Sequence, residues 1–89
     1  MPKAVVDPEE LLRFAGALKR FNTQSQEELA ALARHFRRLG ETWQDDEQQQ
    51  FAASFDTMVR ALGRFLAESE QQVPVLQRKA AAIRDYQDA

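Results

Sequence analysis

Cysteine is absent from the 89-residue chain, which excludes disulfides and thiolate metal sites. Only 3 glycines and 3 prolines are present, so few tight turns are expected. The 12 Lys and Arg residues are balanced by 14 Asp and Glu residues, and the net charge of -2 lacks the basic excess of a nucleic-acid-binding domain. No apolar run approaches the ~18 residues of a membrane-spanning helix. We therefore expect no nucleic-acid partner and no membrane span.

The residues that remain are mostly good helix formers, namely Glu, Gln, Ala, Leu, Lys and Arg. Their abundance predicts an all-α protein, and the length of 89 residues predicts a single domain covering 1–89. The opening stretch MPKAVVDPEELL lacks the apolar segment of a cleaved secretory signal peptide. We therefore expect no conventional signal peptide.

The first predicted helix covers about 8–39. Asp7 can cap it, Pro8 suits its first position, and Glu10 can complete a capping box. Apolar residues then recur at steps of three and four, which is typical of one helix face. Gly40 is the natural stop.

A short polar hinge, 40–45, precedes a second predicted helix at about 46–86. Asp45 and Gln48 can form its capping box. Pro74 interrupts the apolar pattern, and because an interior proline costs about 3 kcal/mol, we expect a kink or a fresh start there.

The two apolar patterns are mirror images about the hinge. Positions whose numbers add to 87 lie opposite each other when the chain folds back, so that Phe36 meets Phe51 and Leu18 meets Ser69. This symmetry predicts an antiparallel two-helix hairpin, with a repeat near the ~3.5 residues of coiled-coil packing. The predicted core of the hairpin and its dimer is Leu11, Phe14, Leu18, Phe21, Leu29, Leu32, Phe36, Leu39, Phe51, Phe55, Met58, Leu62, Phe65, Leu66, Val73 and Leu76.

The same mirror leaves the end of the second helix without a partner. Residues beyond about 77, including Ala80, Ile83 and Tyr86, are predicted to overhang the hairpin or to pack on another chain. Ile83 and Tyr86 are the candidate partner contacts in this segment.

No catalytic, cofactor-binding or metal-binding constellation stands out. His35 is the only histidine, and it lies in the middle of a long helix, where a solvated or partly packed role is expected. Metal sites and catalytic triads need several such groups to converge. We therefore expect a non-enzymatic protein without a cofactor.

The only tryptophan lies at the bend. Trp43, Gln44 and Asp45 form the hinge motif, with Leu39 and Phe51 on either side. The Trp43 ring can cap the last apolar layer while its indole N–H stays near water, or it can form a docking point for a partner. A tryptophan in the hinge of a helical hairpin resembles the WXG family, the small ESAT-like proteins that carry Trp-X-Gly there.

The resemblance spans about Leu11 to Tyr86 and has two departures from the family pattern. Asp45 replaces the motif glycine, although Asp can adopt a bend conformation and cap the next helix. The C-terminal export signal of the family is often Tyr, three residues, then an acid, whereas Asp88 follows Tyr86 by two positions.

The family implies a function through partners. Such hairpins form homodimers or heterodimers with a related hairpin and act as substrates or partners in bacterial type VII secretion, where a secretion ATPase or an exported toxin is the further partner. They are made in the cytoplasm and secreted without a cleaved signal peptide. The residues themselves favour association, because two helices bury one face each and a second hairpin would complete a four-helix bundle.

Two other interpretations of the sequence stay open. One is a cytoplasmic helical adaptor that is never exported. The other is a structural subunit, such as a needle-like hairpin that polymerises, although needle hairpins usually turn at a proline and this hinge has none.

Overall fold

A computed structural model, which describes residues 6–88, shows that the protein is an antiparallel hairpin of two long helices. Helix α1 runs from Pro8 to Leu39 and helix α2 from Asp46 to Asp88, joined by the hinge 40–45. The resulting rod measures 66 × 24 × 15 Å. The predicted all-α hairpin is confirmed.

The start of α1 is capped as its sequence indicates, but the capping box is only half formed. The Asp7 carboxylate accepts a hydrogen bond from the Glu9 main-chain N–H at 2.9 Å, and Pro8 occupies the first turn. Glu10 was expected to reach back to the cap, but its side chain instead bonds Arg13 one turn further on. The Glu10 hydrogen bond and negative charge raise the pKa of Arg13, because both favour the charged guanidinium.

The hinge turns without any residue of positive φ. Gly40 has φ -62° and ψ -16°, and its N–H continues the helix by donating to the Phe36 carbonyl at 3.1 Å. The Trp43 N–H donates to the Leu39 carbonyl at 3.0 Å, which closes the end of α1. No residue from 6 to 88 has a positive φ, so this bend does not need the conformational freedom of glycine.

Asp45 caps the start of α2. Its carboxylate accepts a hydrogen bond from the main-chain N–H of Gln48 at 2.9 Å, the contact expected of a residue just before a helix. The negative charge also lies at the positive end of the helix dipole, where it is stabilising. Asp45 therefore stabilises the start of α2.

Pro74 does not end or restart the second helix. Helix α2 continues through it to Asp88. Proline has no N–H, so it cannot donate to the carbonyl of Glu70, the acceptor one turn earlier. The fresh start considered for this position is absent, and the continuing apolar face holds the segment in the hairpin.

The register of the hairpin differs from the predicted mirror by about one helical turn. Ser69 bonds to Asn22, and these two numbers add to 91. The mirror had placed Leu18 opposite Ser69. Four residues correspond to ~6 Å along a helix axis, so the pairing of α1 with α2 is displaced by that distance.

This displacement corrects the predicted overhang at the end of α2. Ala80 is fully buried, and Arg84 forms an ion pair with Glu9 at the start of α1. The segment beyond residue 77 therefore has a partner on the first helix. The predicted mirror requires a symmetrical bend. In the observed register, the first turn of α2 instead extends past the end of α1 at the tip. Tyr86 alone of the three named residues stays largely free of the hairpin, with 82% of its surface exposed.

We expect Asp45→Ala to lower the free energy of unfolding by about 1 kcal/mol, because it removes the cap of α2, while Asp45→Gly should cost only a few tenths. Chemical denaturation followed by circular dichroism measures both. Gln49→Ala, an exposed change one turn into the same helix, should stay within about 0.5 kcal/mol of the wild type. Equal losses for Asp45→Ala and Gln49→Ala would contradict the capping role.

Candidate docking side and hinge

The hairpin exposes more large hydrophobic side chains than it buries. Among residues 6–88, five hydrophobic residues are buried in the seam between the helices, and ten large ones are exposed. Soluble monomers rarely expose large contiguous apolar patches, so the position of the exposed set matters. The buried five are Ala15, Phe55, Leu66, Val73 and Ala80.

Four of the exposed residues line one open groove between the helices, with a volume of about 710 Å³. Phe21 and Leu32 contribute from α1, and Leu62 and Phe65 from α2. Four more exposed residues lie seven positions from a groove residue or from each other. Residues seven positions apart lie on nearly the same face of a helix, so these four extend the same line. We call this surface the apolar side, and it comprises Phe14, Phe21, Leu32, Leu39, Phe51, Met58, Leu62 and Phe65.

The predicted core divides evenly between the seam and the apolar side. Eight of its sixteen members are the exposed residues of the apolar side. The other eight are buried or half-buried, and they are Leu11, Leu18, Leu29, Phe36, Phe55, Leu66, Val73 and Leu76. The apolar stripe of each helix is thus wider than the seam of a two-helix hairpin can cover.

On α1 the centre of the seam is formed by residues outside the predicted core. Ala15 and Asn22 are buried there, while the neighbouring Phe14 and Phe21 are exposed. The signal was present, because Ala15, Asn22, Leu29 and Phe36 recur every seven residues. The predicted core follows the larger aromatic side chains next to this line, which the structure leaves exposed.

Polar contacts between the helices lie away from the apolar groove. The Gln26 amide donates to the Glu70 carboxylate at 2.7 Å, and Arg84 pairs with Glu9. A separate notch of 300 Å³ is lined by seven residues, none of which lines the groove. These residues are Lys19, Asn22, Thr23, Glu70, Val73, Pro74 and Gln77. The two sides of the seam therefore differ in chemistry, one apolar and the other hydrogen-bonded.

An aromatic cluster closes the tip of the hairpin. The Phe36 ring lies 4.7 Å from that of Phe55 and 5.6 Å from that of Phe51, measured between centroids. Trp43 joins the end of this cluster, with its centroid 6.0 Å from Phe51. The Trp43 side chain is half-buried, so one part of the indole packs on the cluster and the rest faces solvent. The Gln44 amide donates to the Gly40 carbonyl at 3.1 Å and braces the hinge.

The two candidate contacts near the end of α2 have different environments. Ile83 is half-buried against the hairpin, whereas Tyr86 is exposed. Tyr86 follows Phe65 by 21 residues, which is three repeats of seven, so it continues the line of the apolar side. Tyr86 therefore lies exposed beyond the end of this side, near the end of α2.

Potential metal ligands do not converge in the part of the chain that the structure describes. No three His, Cys, Asp or Glu side chains between residues 6 and 88 come together as metal ligands. His35 is exposed on α1. Neither helix, over its described length, has an apolar stretch sufficient to cross a bilayer.

Comparison with known families identifies the hairpin. A family model described as WXG100, proteins of 100 residues with WXG, matches residues 5–88. The chain belongs to the WXG100 family. No curated protein and no solved structure matches it.

Membership of the WXG100 family explains the composition of the hinge. Trp43 stands at the tryptophan of the motif, and Asp45 stands where the motif has glycine. Because the hinge contains no positive φ and Asp45 caps α2, the substitution fits the bend without backbone strain. This WXG100 protein keeps the aromatic anchor of the motif and builds its turn from a helix cap.

We expect acrylamide to quench Trp43 fluorescence partially, to an extent between a free indole and a buried one. The reason is the half-buried position of the ring against Phe51. Trp43 is the only tryptophan, so the steady-state signal reports this site alone. Complete protection in the isolated protein would show that the tip is closed and would contradict a docking role for the ring.

Proposed function

We propose that this WXG100 protein is a non-enzymatic, secretion-associated binding module that works by pairing its apolar side with a second helical hairpin. The observation that supports the proposal is the line of eight exposed large hydrophobic residues along one side of the rod. The WXG family that the sequence resembles includes substrates and partners of bacterial type VII secretion. Association is thus the physical basis of the proposal, and secretion is its biological setting.

A second hairpin is the partner that best fits the shape of the apolar side. The groove between the helices is open and elongated, and another helix pair laid against it would complete a four-helix bundle. Leu62 and Phe65 lie near the middle of the line, so they would be central in such an interface. The second hairpin is either another copy of this chain or a related protein.

Export would use surfaces outside the bundle. The exposed part of Trp43 at the tip and Tyr86 near the other end stay available when the middle of the apolar side is covered. We propose that these two points meet a secretion ATPase or an exported toxin. The paired hairpins would leave the cytoplasm folded, without a cleaved signal peptide.

We expect the wild-type protein at micromolar concentration to sediment as a dimer, or to need a related hairpin to do so. Phe65→Asp should weaken association by ~3 kcal/mol, on the order of a hundredfold in Kd, because it buries an unpaired charge in the interface. Ala67→Asp places the same charge two residues away and should leave association unchanged, since Ala67 is exposed and off the apolar line. Analytical ultracentrifugation of all three proteins measures this.

Two outcomes would overturn the proposal. One is a stable, well-folded wild-type monomer that binds no second hairpin. The other is equal dimerisation of Phe65→Asp and Ala67→Asp. Leu66→Asp separates folding from association, because Leu66 is 4% exposed in the seam while Phe65 is 55% exposed. Leu66→Asp should lose its helical circular dichroism signal altogether.

A further inference from the structure

We infer that the buried Asn22–Ser69 pair selects the register of the hairpin, and that it thereby aligns the two halves of the apolar side. Asn22 is 2% exposed and Ser69 is 7% exposed, and they are the buried polar residues of the seam. The Ser69 hydroxyl donates to the Asn22 side-chain oxygen at 2.7 Å. The pair joins the two helices near the middle of the rod.

Apolar packing alone permits a second register. When positions whose numbers add to 87 are paired, Phe21 meets Leu66, Leu32 meets Phe55 and most other large side chains of the seam also meet an apolar residue. The observed register, in which Asn22 is level with Ser69, differs from it by one turn. Apolar residues recur at steps of three and four along both helices, so a slide of four residues exchanges one set of apolar contacts for another.

The polar pair breaks this near-equivalence. In the alternative register Asn22 would lie level with Phe65, and Ser69 would lie level with Leu18. Each polar group would then be in the seam without the other. A buried polar group without a hydrogen-bond partner is strongly disfavoured, so the alternative register loses against the observed one.

Asn22 is poorly suited to a purely stabilising role. Its side-chain nitrogen is buried and has no hydrogen-bond partner in the described structure. An apolar residue of similar size would avoid that unsatisfied donor. A single buried asparagine that fixes alignment at a cost in stability is a known device in coiled coils, and the geometry here has the same features.

Register matters for binding because the apolar side is made from both helices. Phe21 and Leu32 of α1 share a groove with Leu62 and Phe65 of α2. A slide of one turn would displace the two halves of this groove by ~6 Å relative to each other. The inference concerns the fold of a single hairpin, so it stands or fails separately from the proposed dimer.

The absence of native cysteine makes the register measurable with two spin labels. Labels on Thr23→Cys and Gln49→Cys, both exposed sites on opposite helices, report the axial offset by double electron–electron resonance. Dilution with unlabelled protein removes distances between chains. The otherwise wild-type protein should give one distance. Asn22→Leu combined with Ser69→Ala should add a second population, shorter by ~6 Å, with an unchanged or raised Tm.

Two matched variants act as controls. Gln26→Leu with Glu70→Ala removes the other 2.7 Å interhelical hydrogen bond, which is exposed, and should keep a single distance. Asn22→Ser with Ser69→Asn exchanges the polar pair and should also keep it. A single wild-type distance in the Asn22→Leu, Ser69→Ala protein would overturn the inference, as would its unfolding. A short population in the Gln26 and Glu70 control would overturn it too.

Discussion

Two helices that pack only on each other can bury one narrow stripe apiece, and the chain carries stripes wider than that. The seam takes one edge of each stripe, where Ala15 and Leu66 are almost fully enclosed. The other edge, with side chains such as Phe21 and Phe65, lines the open apolar groove and stays exposed. Burial of apolar area is the main favourable contribution to the free energy of folding and of association. In a rod of two helices, part of this area is buried in the fold, and the rest is left for the proposed partner. The same aromatic residues are therefore surplus to the hairpin, and in the proposed pairing they form the interface.

The architecture could be predicted from the sequence because local signals agree with one another. The cap at Asp7, the cap at Asp45 and the scarcity of glycine and proline all indicate two long helices with one bend. The register could not be predicted in the same way. The spacing of the apolar residues is compatible with more than one alignment of the two helices. Asparagine is also a residue type that is usually found on the surface. The seven-residue spacing with Ala15 and Leu29 places Asn22 on the seam face, but its partner Ser69 lies 47 positions away in the chain, and spacing within one helix does not specify that contact.

The hinge shows how the bend of this hairpin is built without the glycine of the motif. A glycine in a bend supplies conformational freedom, but the backbone between Gly40 and Asp45 stays in ordinary regions throughout. What the turn requires is an end to α1, which the Trp43 N–H helps to satisfy, and a start to α2, which the Asp45 carboxylate provides. The aromatic ring then packs on Phe51 from a backbone that is already fixed. The position of the tryptophan is set by the end of α1 on one side and the start of α2 on the other. The bend therefore does not need a glycine after the tryptophan.

The polar and apolar contacts lie on different sides of the seam, so folding of the hairpin and the proposed binding would depend on different residues. Hydrogen bonds and ion pairs that join the helices, such as Gln26 with Glu70 and Arg84 with Glu9, lie away from the apolar groove. A partner that covers the groove would not need to break them. The buried Asn22–Ser69 pair lies between the two sides and is the element through which one affects the other. A change there alters the alignment of the groove without touching any residue that a partner would contact, whereas a change on the exposed apolar line alters the contact and leaves the alignment intact.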